Sequence, residues 1–146
     1  NFIEKVKVKK KYPKTIKIKI HEEKPIAILN KKGSKFLICE SSKLISFRED
    51  LASKNLPNVF GEGSEKELTN FLKILKENKF PINNIKKFYF FKVGRWDMEL
   101  ANNQVIRLPF TRVEKSIKQL ITLLNRKDFE KFKVIDLRIS DKIITE

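Results

Sequence analysis

The stretch Gly94-Arg95-Trp96-Asp97-Met98-Glu99-Leu100, turned at Asn102-Asn103 and continued by Gln104-Val105-Ile106-Arg107-Leu108, decides the fold of this chain. Trp96, Met98 and Leu100 occupy alternate positions, with Asp97 and Glu99 between them. Successive side chains of a strand point to opposite faces, so this pattern gives one apolar and one acidic face. Asn102 and Asn103 both tolerate positive φ and mark a tight turn. Gln104 to Leu108 then returns as the partner strand, and strands joined by so short a connection pair antiparallel.

The same alternation extends outward. Phe88 to Val93 is aromatic-rich and strand-prone. Its aromatics are consecutive and so point to both faces, which suits a doubly covered core strand better than an open platform for stacking bases. After the hairpin, Phe132 to Ile139 alternates with Ile135, Leu137 and Ile139 on one face. Ser140-Asp141 turns the chain, and Lys142 to Thr145 makes a last short strand. Before it, Leu56 to Gly61 is a short extended piece. Lys35 to Cys39 and Lys43 to Phe47 form a hairpin around Glu40-Ser41-Ser42. Ile26 to Leu29 is extended, and Asn30 to Ser34 reads as a polar turn or linker. At the start, Val6 and Val8 alternate with Lys5, Lys7 and Lys9, and Ile16, Ile18 and Ile20 with Lys17 and Lys19. That predicts another hairpin, turned at Tyr12-Pro13-Lys14 and ended by Glu22-Glu23-Lys24-Pro25.

Two helices separate these strands. Ser64 with Glu67 three residues on is a capping box, followed by an apolar stripe at Leu68, Phe71, Leu72 and Leu75 that ends near Asn78, before Pro81. Thr111 with Glu114 repeats the signature, followed by Val113, Ile117, Leu120, Ile121 and Leu124 as far as about Asn125. Both stripes predict faces that cover a sheet. The fold class is α+β, an antiparallel or mixed sheet with two packed amphipathic helices.

Composition limits the chemistry. The 146 residues are 40% hydrophobic, enough for a core. One Cys rules out an intrachain disulfide framework and a Cys-rich zinc site, and one His rules out multi-His metal sites. Cys39 reads as a small buried hydrophobe, and nothing suggests a pairing with His21. Gly61-Glu62-Gly63 lacks the Lys-Ser/Thr of a P-loop. Asp97, Glu99 and Asp136 alternate with apolar residues and are expected to face outward rather than to form an acid/base pair. No enzyme is indicated, and no catalytic residue, metal or cofactor. No apolar run approaches the ~20 residues needed to span a bilayer, and no signal peptide is visible. The chain opens on Asn1 and is read as a fragment or processed form.

The charge of +15, from 33 Lys and Arg against 18 Asp and Glu, raises a basic nucleic-acid-binding module as the alternative reading. Its distribution weakens that reading. Residues 1–35 hold 12 Lys against 3 Glu, or +9 of the total. Only 6 of the basic residues are Arg, the residue whose fork reads bases, and they are scattered. The Lys bias fits a solvated strand face that also discourages edge pairing, and the wealth of Ile, Asn, Phe and Lys fits A/T-rich codons. A Lys face over residues 5–19 could also touch anionic headgroups beside a membrane.

Several phrases line up with one family. Lys10-Lys11-Tyr12-Pro13-Lys14-Thr15-Ile16-Lys17-Ile18 resembles the basic-aromatic-Pro-x-Thr-Leu strand pair of the FtsQ/DivIB bacterial cell-division proteins. Glu22-Glu23-Lys24-Pro25-Ile26-Ala27 is similar to their Glu-Arg-x-Pro-Val-Ala segment, and Leu56-Pro57 with Phe60-Gly61 to a Leu-Pro…Gly phrase. Gly94 to Leu100, Asn102-Asn103 and Ile106-Arg107-Leu108-Pro109 resemble their Arg-x-Trp-x-Leu-x-Leu…Asn-Gly…Ile-x-Leu hairpin. Ile135-Asp136-Leu137-Arg138 resembles an Asp-Leu-Arg-Tyr phrase. The phrases occur in the family's order and cover nearly the whole chain.

The resemblance implies the end of a POTRA domain in residues 1–29, reduced to a two-strand remnant that should lean on its neighbour, and a complete β domain in residues 30–146. It implies a single-pass inner-membrane protein whose missing N-terminal helix anchors it, with this region in the periplasm at the division septum. It implies a non-enzymatic divisome scaffold bridging cell-division proteins, with FtsB/FtsL-type small bitopic coiled-coil proteins, and possibly other divisome components, as partners and no specific nucleic acid. A partner strand would add to an exposed C-terminal edge, at positions matching Arg138, Ile139, Ser140, Lys142, Ile143 and Ile144. Arg95 matches a family Arg that can pair with a partner carboxylate. Ile139 stands where the family has Tyr, losing a hydroxyl and an aromatic contact, and Asn103 stands where a turn Gly is usual.

Overall fold

The structure, a computed structural model, describes residues 3–11 and 15–146, with side chains from Glu22 onward. Strands β1 (Ile3–Lys11) and β2 (Thr15–Glu22) pair antiparallel in a two-stranded sheet of their own. The turn expected at Tyr12-Pro13-Lys14 lies outside the described residues, and the packing expected of this hairpin against its neighbour rests on side chains outside the described ones.

Everything else is built on one mixed sheet. Its strands in chain order are β3 (Pro25–Lys31), β4 (Ser34–Cys39), β5 (Leu44–Ser46), β6 (Asn58–Phe60), β7 (Ile85–Phe90), β8 (Trp96–Leu100), β9 (Val105–Arg107), β10 (Val134–Asp136) and β11 (Ile144–Thr145). Their spatial order is β11-β10-β9-β8-β7-β6-β3-β4-β5. The hairpins β3–β4, β4–β5, β7–β8 and β8–β9 are antiparallel, as the short turns require. Parallel neighbours need a long crossover, and the two helices serve as two of these. Helix α1 (Ser64–Glu77) carries the chain from β6 to β7, and α2 (Val113–Leu124) from β9 to β10, both parallel pairs.

The helices cover one face, as their stripes predict. Leu68, Phe71, Leu72 and Leu75 of α1 and Ile117, Leu120 and Leu123 of α2 share a core with Ala27, Leu29, Val59, Phe88, Trp96, Met98, Ile106 and Ile135. Phe71 stacks on Trp96 with ring centroids 5.1 Å apart, and Phe88 meets both edge-on. The opposite face is covered at one end only. There Leu37, Cys39 and Ile45 lie under Phe47, Leu51, Ala52 and Leu56 of the long connection before β6.

Three expectations need correction. Neither capping box forms. Gly63, at φ +85°, is the N-cap of α1, and Ser64 is a buried residue of the first turn whose hydroxyl has no hydrogen-bond partner. Arg112, at φ +58°, precedes α2, and neither N-cap makes a side-chain bond. Both helices are entered from a left-handed residue, so the chain arrives at an angle that a side-chain cap cannot use. The helix ends agree, with C-caps at Asn78 and Asn125. Second, the C-terminal strands are shorter than expected: β10 ends at Asp136, and β11 holds only Ile144 and Thr145. Third, Asp97 and Asp136 do face away from the helices, yet both are buried.

Strand β3 crosses the boundary expected after residue 29. Ala27 and Leu29 are completely buried in the shared core, and β3 pairs with both β4 and β6. Glu23, also buried, accepts bonds of 2.9 and 3.0 Å from the Ser41 hydroxyl. The chain is therefore tied into the large sheet from Glu23 onward.

Candidate functional site

Strand β11 is the outermost of the nine strands at one edge of the sheet. Ile135 pairs with Thr145 and Asp136 with Ile144, antiparallel. Glu146 exchanges both main-chain bonds with Val134, at 3.0 and 3.1 Å. Bonded and non-bonded pairs alternate along an antiparallel ladder. Thr145 therefore turns its N–H and C=O away from β10, toward the outside of the sheet. Around this edge Ile139, Ile143 and Ile144 are exposed apolar side chains, at 51%, 37% and 40%. Isolated apolar residues on a surface mean little, but three beside an open strand edge make a surface that excludes water on contact.

A row of charges leads to the edge. On the face away from the helices, Asp97 pairs with Arg107 across β8 and β9, Arg107 with Asp136 across β9 and β10, and Asp136 with Ile144 across β10 and β11. Arg95 and Arg138 flank the row, two residues from Asp97 and Asp136 and so on the same face. Arg95 is bonded to Asp97, and its guanidinium lies 4.2 Å from the Phe91 ring. Arg138 donates from Nε at 2.9 and 3.1 Å and from Nη2 at 2.7 Å to the Asp136 carboxylate, and its main-chain N–H adds a bond of 3.0 Å. Arg107 stands 3.9 Å from the same carboxylate.

The two aspartates respond differently. Burial raises the Asp97 carboxyl above its ordinary range, outweighing the pull of Arg95. Burial pushes Asp136 the same way, but the bonds from Arg138 side chain and main chain outweigh it and hold that carboxyl below the ordinary range. A main-chain donor plus a fork holds a carboxylate better than one short ion pair does.

The structure thus gathers Arg138, Ile139, Ser140, Ile143 and Ile144 at one edge. Lys142 is exposed in the loop before β11, and Lys142 and Ile143 precede the strand rather than belong to it. The Ser140 hydroxyl accepts a bond from Arg112 of the α2 entry. Arg95 lies just before β8, three strands inward, committed to Asp97. The sequence reading missed Asp136, Arg107 and Arg112 as organisers of this region. The spacing Asp136-x-Arg138 was the available signal, since residues two apart share a strand face.

The same pairing weighs against nucleic-acid binding. Arg48, Arg95, Arg126 and Arg138 each pair with an aspartate two residues away, Arg107 with Asp136, and Arg112 with Ser140. All six arginines are engaged within the fold. Among the described residues no group of three or more His, Cys, Asp or Glu could hold a metal ion, and no helix is long and apolar enough to cross a membrane.

Comparison with known proteins now adds a name to the architecture. The family model described as "Cell division protein FtsQ/DivIB, C-terminal" matches residues 27–138. The cell division protein FtsQ of Rickettsia typhi is 32% identical over 145 residues, covering 97% of this chain and 53% of that protein. FtsQ of Rhizobium radiobacter is 27% identical over 147 residues, covering 97% of this chain and 68% of its own. A solved structure of the major extracytoplasmic domain of DivIB from Geobacillus stearothermophilus aligns with 73% of this chain and 99% of its own, at 15% identity and a TM-score of 0.44. The chain spans about half the length of the rickettsial relatives it matches. With strands β4 to β10 and most of β3 inside the matched region, this chain belongs to the FtsQ/DivIB family of cell division proteins.

Proposed function

We propose that the chain is a non-enzymatic divisome scaffold that binds FtsB/FtsL-type partners by adding a partner strand to β11, and so bridges cell-division proteins at the septum. The observation that carries this reading is the open edge: Thr145 offers an outward N–H and C=O, with exposed Ile139, Ile143 and Ile144 beside it. Main-chain bonds would supply affinity and these side chains selectivity. Membership in a family of cell division proteins supports the same setting. In this reading the protein sits in the inner membrane through a single N-terminal helix, with the described region in the periplasm. The POTRA-like remnant shrinks to the β1–β2 hairpin, and the β domain begins near Glu23.

The test is a binding titration with the C-terminal segment of an FtsB-type protein from the same organism, comparing the native chain with Thr145→Pro. Proline removes the outward donor at an edge position where its missing N–H does not disturb β10. Loss of one ladder bond and the crowding of the ring should weaken binding about tenfold or more. Equal affinity for both proteins, with Thr145→Pro still folded, rejects strand addition at β11.

A further inference from the structure

We propose that Asp136 is the positioning residue of the C-terminal edge, fixing the path of residues 137–143 so that β11 is held in register. The inference rests on the reading that β11 is the binding edge, and it assigns the edge's order to one buried carboxylate.

A two-residue edge strand has little of its own to hold it. Isolated hairpins are marginal even when longer. Between Asp136 and Ile144, which face each other across β10 and β11, the chain leaves the sheet and comes back. Asp136 sits at the point of departure. Its side chain is only 8% exposed. It accepts the Arg138 main-chain N–H, which closes a turn of the Asx kind over Leu137, and it holds the Arg138 guanidinium through both oxygens. One carboxylate thus fixes the main chain and the side chain of the second residue out of the strand. Leu137 is meanwhile anchored by its buried side chain and by its N–H, which donates 2.8 Å to the Arg107 carbonyl.

The far side of the excursion is tied less securely. Arg112 donates to the Ser140 hydroxyl, and Lys115 stands 3.9 Å from Asp141 with side chains 74% and 84% exposed. Exposed pairs of that kind contribute little in water. The Asp136 node is the buried polar tie, and Arg107 at 3.9 Å links it back to β9 and so to the body of the sheet. Asp136 is therefore joined to the row of charges on one side and to the first residue of β11 on the other.

The experiment reads the free chain, with no partner present. Amide hydrogen exchange at Ile144 and Glu146, whose N–H groups point inward to β10, is measured for the native chain, Asp136→Ala and Asp136→Asn, beside exchange in α1 and β8 and the global unfolding free energy. Loss of charge-assisted bonds should speed exchange at the edge about tenfold or more in Asp136→Ala, with α1 and β8 unchanged. Asp136→Asn keeps an acceptor for the Arg138 N–H and should fall between the two. Should Asp136→Ala lose global stability as well, Arg138→Ala, which removes the fork and keeps the main-chain turn, provides the same local reading. Edge exchange that does not change in a folded variant, or that rises only in step with global unfolding, overturns the proposal. The partner titration above is scored separately: a Thr145→Pro variant that binds normally defeats the binding reading and leaves the exchange result standing.

Discussion

At the scale of single residues, the informative feature is that most arginines of this protein find their partners within short sequence spans. Four arginines meet an aspartate at i±2, on strands and loops alike. The alternation of Asp97, Glu99 and Asp136 with apolar neighbours told which face they occupy. It did not tell that Arg95, Arg107 and Arg138 would close over that face and bury two of them, because burial there depends on neighbours across strands. The consequence is measurable with acid. Asp97 has a raised carboxyl in the fold, so protonating it as pH falls through the acid range favours the folded state. Asp136 has a depressed one, so its contribution is present above the unfolded value near 3.8 and is lost as pH falls through the folded value. Urea unfolding of the native chain, Asp97→Asn and Asp136→Asn between pH 7 and pH 3 should separate them. Relative to native, Asp97→Asn should lose stability more steeply on acidification and Asp136→Asn less steeply. Parallel curves for the two variants would contradict this assignment.

At the scale of elements, both helices were legible because their apolar stripes are long and regular. Their C-termini at Asn78 and Asn125 were legible too, but not their starts. Ser64 and Glu67 have the spacing of a capping box, yet Gly63 takes a left-handed conformation at φ +85° and turns the chain into the helix one residue early. Ser64 is thereby drawn into the first turn and buried. Its hydroxyl has no partner, which costs stability that a true cap would supply. The two readings make opposite forecasts for Ser64→Ala. Removing a capping Ser costs about 1 kcal/mol. Removing an unsatisfied buried hydroxyl should leave stability within about 0.5 kcal/mol of native or raise it. A thermal or urea midpoint that does not fall supports the geometry described here. Gly61 shows the same dependence on neighbours. A Cβ there would lie 2.1 Å from the Phe90 carbonyl oxygen, a close approach of the chain just after β6 to the end of β7 that the phrase Leu56 to Gly61 does not display.

At the scale of the molecule, the helix-covered middle of the sheet contrasts with its β11 edge. The middle strands β7 and β8 carry Phe88, Trp96 and Met98 into the helix-covered core, while the last strand at one end is β11 with two residues. The class of fold followed from local periodicity, but the order β6-β3 at its centre did not, since no short-range pattern states which distant strands will be neighbours. Asn30 to Ser34 was open to two readings, a polar turn or a linker, and the structure shows the turn. In the structure Lys32 and Gly33 make the tight turn of the β3–β4 hairpin, both at positive φ. This design separates stability from the edge. Removing residues 141–146 would take away β11 and the main-chain partners of Lys133 and Val134. Those N–H groups lie at a sheet margin where water can replace the lost bonds, so the net cost should be about 1–3 kcal/mol. The helix-covered core keeps all its side chains, because none of them comes from residues 141–146. The shortened chain should therefore unfold cooperatively at a somewhat lower urea midpoint and show native-like near-UV circular dichroism from Trp96. It should also fail to bind an FtsB-type segment in the titration that tests Thr145→Pro. A shortened chain that binds as tightly as the native one would move the interaction away from β11. One that loses cooperative unfolding would show that the edge is part of the core.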